Sequence, residues 1–132
     1  MRLFLDTNVI VAAVTRDSER SAEAVALLND AEEPYVSVLN LMELRSVLSK
    51  KKRFERDRID QIESRITSRA TVTVPDASDM VAANRLQAET LLYPMDALVL
   101  TAAEAVDATL VSFDGELVDH GAVRPGDVQL PD

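Results

Sequence analysis

The stretch Arg2-Leu3-Phe4-Leu5-Asp6-Thr7-Asn8 decides how this chain reads. A short apolar run is closed by the Asp6 carboxylate. The polar pair Thr7-Asn8 comes next, and then a second apolar run, Val9–Val14. A buried strand that ends in an acid, with a helix starting at once, places a charge at the mouth of an α/β sheet, where ligands bind outside the carboxyl ends of the strands. The role of Asp6 turns on which other acids reach the same edge.

Outward from that stretch, helical and strand-like segments alternate. Val9–Val14 reads as a short helix. Asp17 and Ser18 are candidate N-caps for a second helix, Ala22–Leu28, whose Ala24, Leu27 and Leu28 share one face. Asn29-Asp30 and Pro34 break it, and Tyr35–Val38 is a second short strand. Leu39–Leu48 reads as helix with an apolar stripe of Leu41, Leu44, Val47 and Leu48, Glu43 on its flank, and the basic run Lys50–Arg53 at its carbonyl end. Asp57–Thr67 is a charged amphipathic helix carrying Ile59, Ile62 and Ile66. Thr71-Val72-Thr73-Val74 alternates polar with apolar and is β-branched, so it is a strand, stopped by Pro75. Asp76 or Ser78 caps a helix from Met80 to about Leu92. Pro94 opens the next helix, which runs to about Ala105. Ala108–Phe113 is a fourth strand and Val128–Leu130 a candidate fifth at the edge. The pattern predicts one α/β domain over residues 1–132, with a mainly parallel sheet of about five strands and helices on both faces.

The composition narrows the function. The chain has 132 residues, a size that suits one core, with 47% apolar and 28% charged residues. Its apolar runs are too short to span a bilayer, which needs about 20 residues. The N-terminus lacks the pattern of a signal peptide, so a cytoplasmic location is expected. Without Cys there are no disulfides, thiolate zinc sites or cysteine nucleophiles. The formal charge of −9 argues against nonspecific nucleic-acid binding. The three lysines stand together at Lys50-Lys51-Lys52 and Arg carries the remaining positive charge. That balance fits either a protein working in concentrated salt or ordinary solubilising acidity.

Four carboxylates have positions that such a sheet can bring together. Asp6 closes the first strand, and Asp114 comes directly after the fourth in Leu110-Val111-Ser112-Phe113-Asp114-Gly115. Parallel strands send both to the same edge. Glu43 is about one turn into the helix after the second strand. Asp96 sits in the first turn of Pro94-Met95-Asp96-Ala97-Leu98-Val99-Leu100, among apolar neighbours. Each also has a simpler reading: Asp6 as a helix cap, Asp96 as a first-turn acid, Glu43 as a solvated helix residue, Asp114 as turn chemistry.

Four converging carboxylates repel one another unless a countercharge joins them. An all-oxygen set with no Cys and one His selects Mg²⁺ or Mn²⁺ over zinc. Such ions clamp phosphoryl oxygens and activate water, which suits phosphodiester hydrolysis. In this scheme Asp6 and Asp96 are the main metal ligands, Glu43 and Asp114 hold a second ion or orient the water, and Asn8 and Ser112 support the ligands or contact phosphate.

Leu5-Asp6-Thr7-Asn8-Val9, Met42-Glu43-Leu44, Asp96-Ala97-Leu98 and Leu110-Val111-Ser112-Phe113-Asp114 together resemble the ordered motifs of PIN-domain ribonucleases, and the small size resembles the VapC-type toxins of toxin–antitoxin pairs. The resemblance spans essentially the whole chain. It implies a PIN-like three-layer sandwich and a Mg²⁺- or Mn²⁺-dependent endoribonuclease that leaves a 5′-phosphate, often on tRNA or rRNA. It also implies a homodimer and a VapB-like antitoxin that inserts a C-terminal segment into the active-site groove. The last motif departs from the family's usual Thr-x-Asp followed by an acid and an aromatic. Here Ser112 replaces Thr, while Glu116 and Leu117 fill the later places, so Glu116 is an alternative to Asp114.

Lys50, Lys51, Lys52 and Arg53 are candidate RNA-phosphate contacts, as is Arg45, with a solvated helix end and a surface ion pair as the respective alternatives. His120 has no second His to form a relay and reads as an exposed loop residue. A non-catalytic PIN-like module and a housekeeping RNA-processing nuclease without antitoxin remain as alternatives. A haloacid-dehalogenase-like phosphatase needs an Asp where Asn8 stands, and a receiver domain needs a lysine later than Lys52.

Overall fold

The computed structural model describes residues 1–16 and 18–129. Four strands, β1 (Arg2–Leu5), β2 (Glu33–Ser37), β3 (Thr71–Thr73) and β4 (Thr109–Val111), form one parallel sheet in the order β3-β2-β1-β4. Phe4 is in register with Tyr35 on one side and Leu110 on the other. The helices are α1 (Thr7–Thr15), α2 (Glu19–Asp30), α3 (Val38–Ser46), α4 (Arg56–Arg69), α5 (Ala77–Thr90), α6 (Pro94–Ala105) and the short α7 (Gly115–Val118).

Side chains alternate across a strand, and here the alternation divides two cores. Leu3, Leu5, Val36 and Val111 face α1–α4, where they pack with Val9, Ile10, Leu44 and Leu48. Phe4 and Leu110 face the other way, onto Leu92, Ala97, Leu100 and Leu117 of the α5–α7 side. The sheet is therefore the middle of three layers, and β1 lies inside it with both faces covered. That is why Leu3–Leu5 reads as an unbroken apolar run.

Several boundaries differ from the sequence-based expectation. α2 continues through Asn29-Asp30, and its N-cap is Ser18; Asp17, the other candidate cap, lies outside the described residues. Pro34 falls inside β2 instead of breaking the chain before it. It pairs with Leu3 on the β1 side, while β3 begins pairing one residue later, at Tyr35, so its missing N–H interrupts no ladder. Asp76, not Ser78, caps α5, in a reciprocal capping box with Asp79.

The expected fifth strand is not formed at Val128-Gln129, and Leu130 lies outside the described residues. A single parallel bridge between Val123 and Val111 stands at that edge instead. Pro125 opens a 3₁₀ turn over Pro125–Asp127 just after it and ends the pairing.

α3 does not end at its basic run as an ordinary helix. Val47–Lys51 widens into a π turn, with the Lys52 N–H bonded to the Val47 carbonyl at 3.1 Å. Arg53 then takes a left-handed conformation (φ 58°) and Phe54 N–H bonds back to the Leu48 carbonyl at 2.9 Å. The wide turn rotates the lysines relative to an α-helical continuation. Among the described residues, no helix is long and apolar enough to cross a membrane.

Candidate active site

Asp6 extends β1 by one residue, its N–H bonded to the Val111 carbonyl at 3.0 Å. One carboxylate oxygen, Oδ1, accepts the Thr7 N–H (2.9 Å), so the helix-capping reading holds. The other, Oδ2, accepts the Ser112 hydroxyl (2.7 Å) and a longer bond from Asn8 Nδ2 (3.5 Å). Ser112 is fully buried and in turn accepts from Asn8 Nδ2 (3.2 Å) and from the Asp114 N–H (3.0 Å). Asn8 Oδ1 takes the Phe113 N–H at 3.1 Å. Asn8 and Ser112 thus stand between Asp6 and Asp114 and hold the ends of β1 and β4 together.

Asp6, Glu43, Asp96 and Asp114 all line one cleft of about 440 Å³ at this edge of the sheet. Asp114 also caps α7 through the Glu116 N–H (2.9 Å), so its turn-like role and its place in the cleft coexist. Glu116 is exposed and is not among the lining residues, though its charge acts on Asp96. Burial pushes the Asp6 pKa up; the Ser112 and Thr7 hydrogen bonds oppose this, and the charges of Glu43 and Asp114 add to it. Asp96, half-buried, is raised to about 6, first by burial and then by the charges of Asp114, Asp6, Glu116 and Glu43.

Such a cluster calls for a cation. Its donors are all oxygen, the set that hard divalent ions prefer. Among the described residues, no three acids or histidines meet closely enough to ligate one point. The carboxylates line the cleft from separate elements. The donor chemistry fits Mg²⁺ or Mn²⁺.

Of the basic run, Lys52 lines the cleft, together with Val47 at the start of the π turn; Lys50, Lys51 and Arg53 are not among its lining residues. Arg45 turns to α4, with its guanidinium 2.6 Å from Asp60 and 3.2 Å from Glu63. His120 is exposed, as expected. The residues that spacing did not single out are Arg20, Thr7 and Asn40. Arg20 lines the cleft from α2, its guanidinium 5.0 Å from the Phe113 ring centre. No periodicity marks it. Asn40 did leave a signal, as an amide between Leu39 and Leu41, one turn before Glu43.

A larger groove of about 500 Å³ lies elsewhere, between α1, α2 and α4. Ile10, Val14, Val25, Leu28, Ile62 and Ile66 line it, and among the described residues no carboxylate does. The chemistry points to the smaller cleft.

The family model described as PIN domain matches residues 3–122. No curated protein matches the chain by sequence. Among solved structures, the chain is similar in fold to a toxin–antitoxin complex from Klebsiella pneumoniae (21% identity, TM-score 0.73, 93% of this chain and 97% of the other). It is also similar to VapBC2 from Rickettsia felis bound to a DNA fragment from their promoter (21% identity, TM-score 0.72, 94% and 97%). A third is the sarcin-ricin loop cleaving toxin VapC20 of Mycobacterium tuberculosis (19% identity, TM-score 0.78, 92% and 96%).

Proposed function

The chain belongs to the PIN-domain family, and on that premise we propose that it is a Mg²⁺- or Mn²⁺-dependent endoribonuclease, the toxin of a type II toxin–antitoxin pair. The observation that carries the reading is the convergence of Asp6, Glu43, Asp96 and Asp114 on one cleft, with Asp6 and Asp96 both raised in pKa by burial and by the charges of neighbouring carboxylates. A non-catalytic surface has no need to place acids at strand and helix ends in this way.

Asp6 and Asp96 would hold the ion, with Glu43 and Asp114 holding a second or orienting water. When bound, such an ion lowers the pKa of water and clamps phosphoryl oxygens. Ser112 keeps Asp6 Oδ2 oriented and Thr7 occupies Oδ1. Asn8 ties the Phe113-Asp114 backbone to the same frame. Arg20 and Lys52, on the wall of the cleft, would meet backbone phosphates of RNA. Residues 1–132 act as one domain in this reading, and the protein works in the cytoplasm.

The partner would be a VapB-like antitoxin. The apolar groove between α1, α2 and α4 is rimmed by Arg16, Arg58, Arg65 and Arg69, in a chain of net charge −9. It suits a second antitoxin segment, with an apolar face and acidic flanks, beside the C-terminal segment that would enter the carboxylate cleft. A homodimer would cover exposed apolar side chains such as Val74, Met80, Leu91 and Tyr93.

The decisive experiment maps cleavage sites in total RNA after brief expression, with Asp6→Asn as control. Discrete new 5′ ends that vanish in the variant are expected. Ends identical in both proteins would refute the nuclease.

A further inference from the structure

We infer that Asn40 is a positioning residue, which fixes the helix carrying Glu43 against the Asp6 end of β1. Asn40 precedes Glu43 by three residues, nearly one helical turn, and is completely buried. Its Oδ1 accepts the Ser37 N–H at 3.0 Å, closing the capping box at the start of α3. Its Nδ2 donates to Thr7 Oγ1 at 3.1 Å, at the start of α1. Thr7 N–H in turn donates to Asp6 Oδ1 at 2.9 Å. One side chain therefore joins the helix that bears Glu43 to the residue that holds Asp6.

Val9 of α1 and Leu44 of α3 also belong to one buried apolar cluster. Apolar packing is non-directional; it sets how close two helices lie and leaves sliding along each other cheap. A hydrogen bond is directional, and the Asn40–Thr7 bond fixes that sliding coordinate. An amide is needed because the position requires an acceptor towards Ser37 and a donor towards Thr7. An ionised Asp supplies only the first, and Leu neither.

This inference rests on the reading of Asp6 and Glu43 as metal ligands. It is tested by calorimetric Mn²⁺ titration of the full chain, alongside metal-free thermal unfolding. Thr7→Val and Asn40→Leu are each expected to weaken Mn²⁺ binding by about tenfold or more, the scale of other supporting hydrogen bonds at metal sites. The double variant should be no weaker than Asn40→Leu alone. Ser37→Ala removes a helix cap while leaving the Asn40–Thr7 bond in place. It should lower the melting temperature and keep wild-type Mn²⁺ affinity.

Wild-type affinity in Thr7→Val, or a loss in Ser37→Ala as large as in Thr7→Val, overturns the inference while the metal site stands. A wild-type protein that binds no Mn²⁺ overturns the metal reading itself, and this inference with it. If Asn40→Leu fails to fold, Thr7→Val decides alone, because it leaves the Ser37 cap intact.

Discussion

The Ser112 hydroxyl donates a 2.7 Å hydrogen bond to Asp6 Oδ2 across 106 residues of sequence. It joins the residue after β4 to the residue after β1, and it is the strongest influence in the site opposing the burial of Asp6.

Ser112→Ala removes this bond and leaves the Asp114 N–H and one Asn8 donor to find other partners. Loss of a buried hydrogen bond to a charged group should lower stability by about 1.5–3 kcal/mol. The Asp6 pKa, already raised, should rise further. A carboxylate whose folded pKa is raised favours the folded state below its unfolded pKa and loses that advantage as pH rises through the folded value. Denaturant melts should therefore show a larger deficit at pH 7 than at pH 4; an equal deficit at both would contradict the assignment.

Asp96→Asn should separate stability from activity. With a folded pKa of about 6 against an ordinary 3.8, Asp96 makes the metal-free protein less stable as pH rises from about 4 through about 6. Removing its charge should stabilise the metal-free fold at pH 7 by roughly 1 kcal/mol, allowing for solvent screening of a half-exposed group. RNA cleavage should disappear in the same variant. Metal-free melting curves at pH 4.5 and pH 7 test the sign.

Asp6→Asn should reduce cleavage by about 10³-fold or more, the scale of several kcal/mol of lost transition-state stabilisation. Excess EDTA should do the same to the unmutated protein, with recovery on adding Mn²⁺. Full activity in EDTA would remove the metal from the mechanism.

The cations differ in place: Arg20 and Lys52 line the carboxylate cleft, and Arg45 turns to α4. In a cleavage-dead background, Arg20→Ala or Lys52→Ala should weaken binding of single-stranded RNA and reduce the slope of log K against log salt by about 0.7 each. Arg45→Ala should leave the slope unchanged, because Arg45 is committed to Asp60 and Glu63. A slope change only with Arg45 would reverse the assignment of the RNA-facing wall.

The fold was legible where chemistry and periodicity coincide. Pro94 opens α6 and Ala105 closes it, as the sequence predicts, because proline suits a first turn and apolar spacing carries the rest. That the four acids share one cleft was legible because each sits at the end, or in the first turns, of an element. The π turn at Val47–Lys51 was not, since one extra residue in a helical hydrogen-bond ring leaves no mark on side-chain spacing. The fifth strand was misplaced because Val128–Leu130 has strand-like residue types, while the pairing at Val123 is a single residue set by contact with Val111. Arg20 was invisible because only the packing of α2 brings it over Phe113.

The strand order has a bearing on biosynthesis. β1 leaves the ribosome first, yet it lies inside the sheet and waits for β4 to supply its second neighbour. Until Thr109–Asp114 emerge, Asp6 has neither the Ser112 hydroxyl nor the carboxylate of Asp114 beside it. A chain stopped before Thr109 lacks that part of the cluster and, on the proposed function, should cleave no RNA. The long reach from Asp6 to Ser112 thus ties completion of the acid cluster to the synthesis of β4.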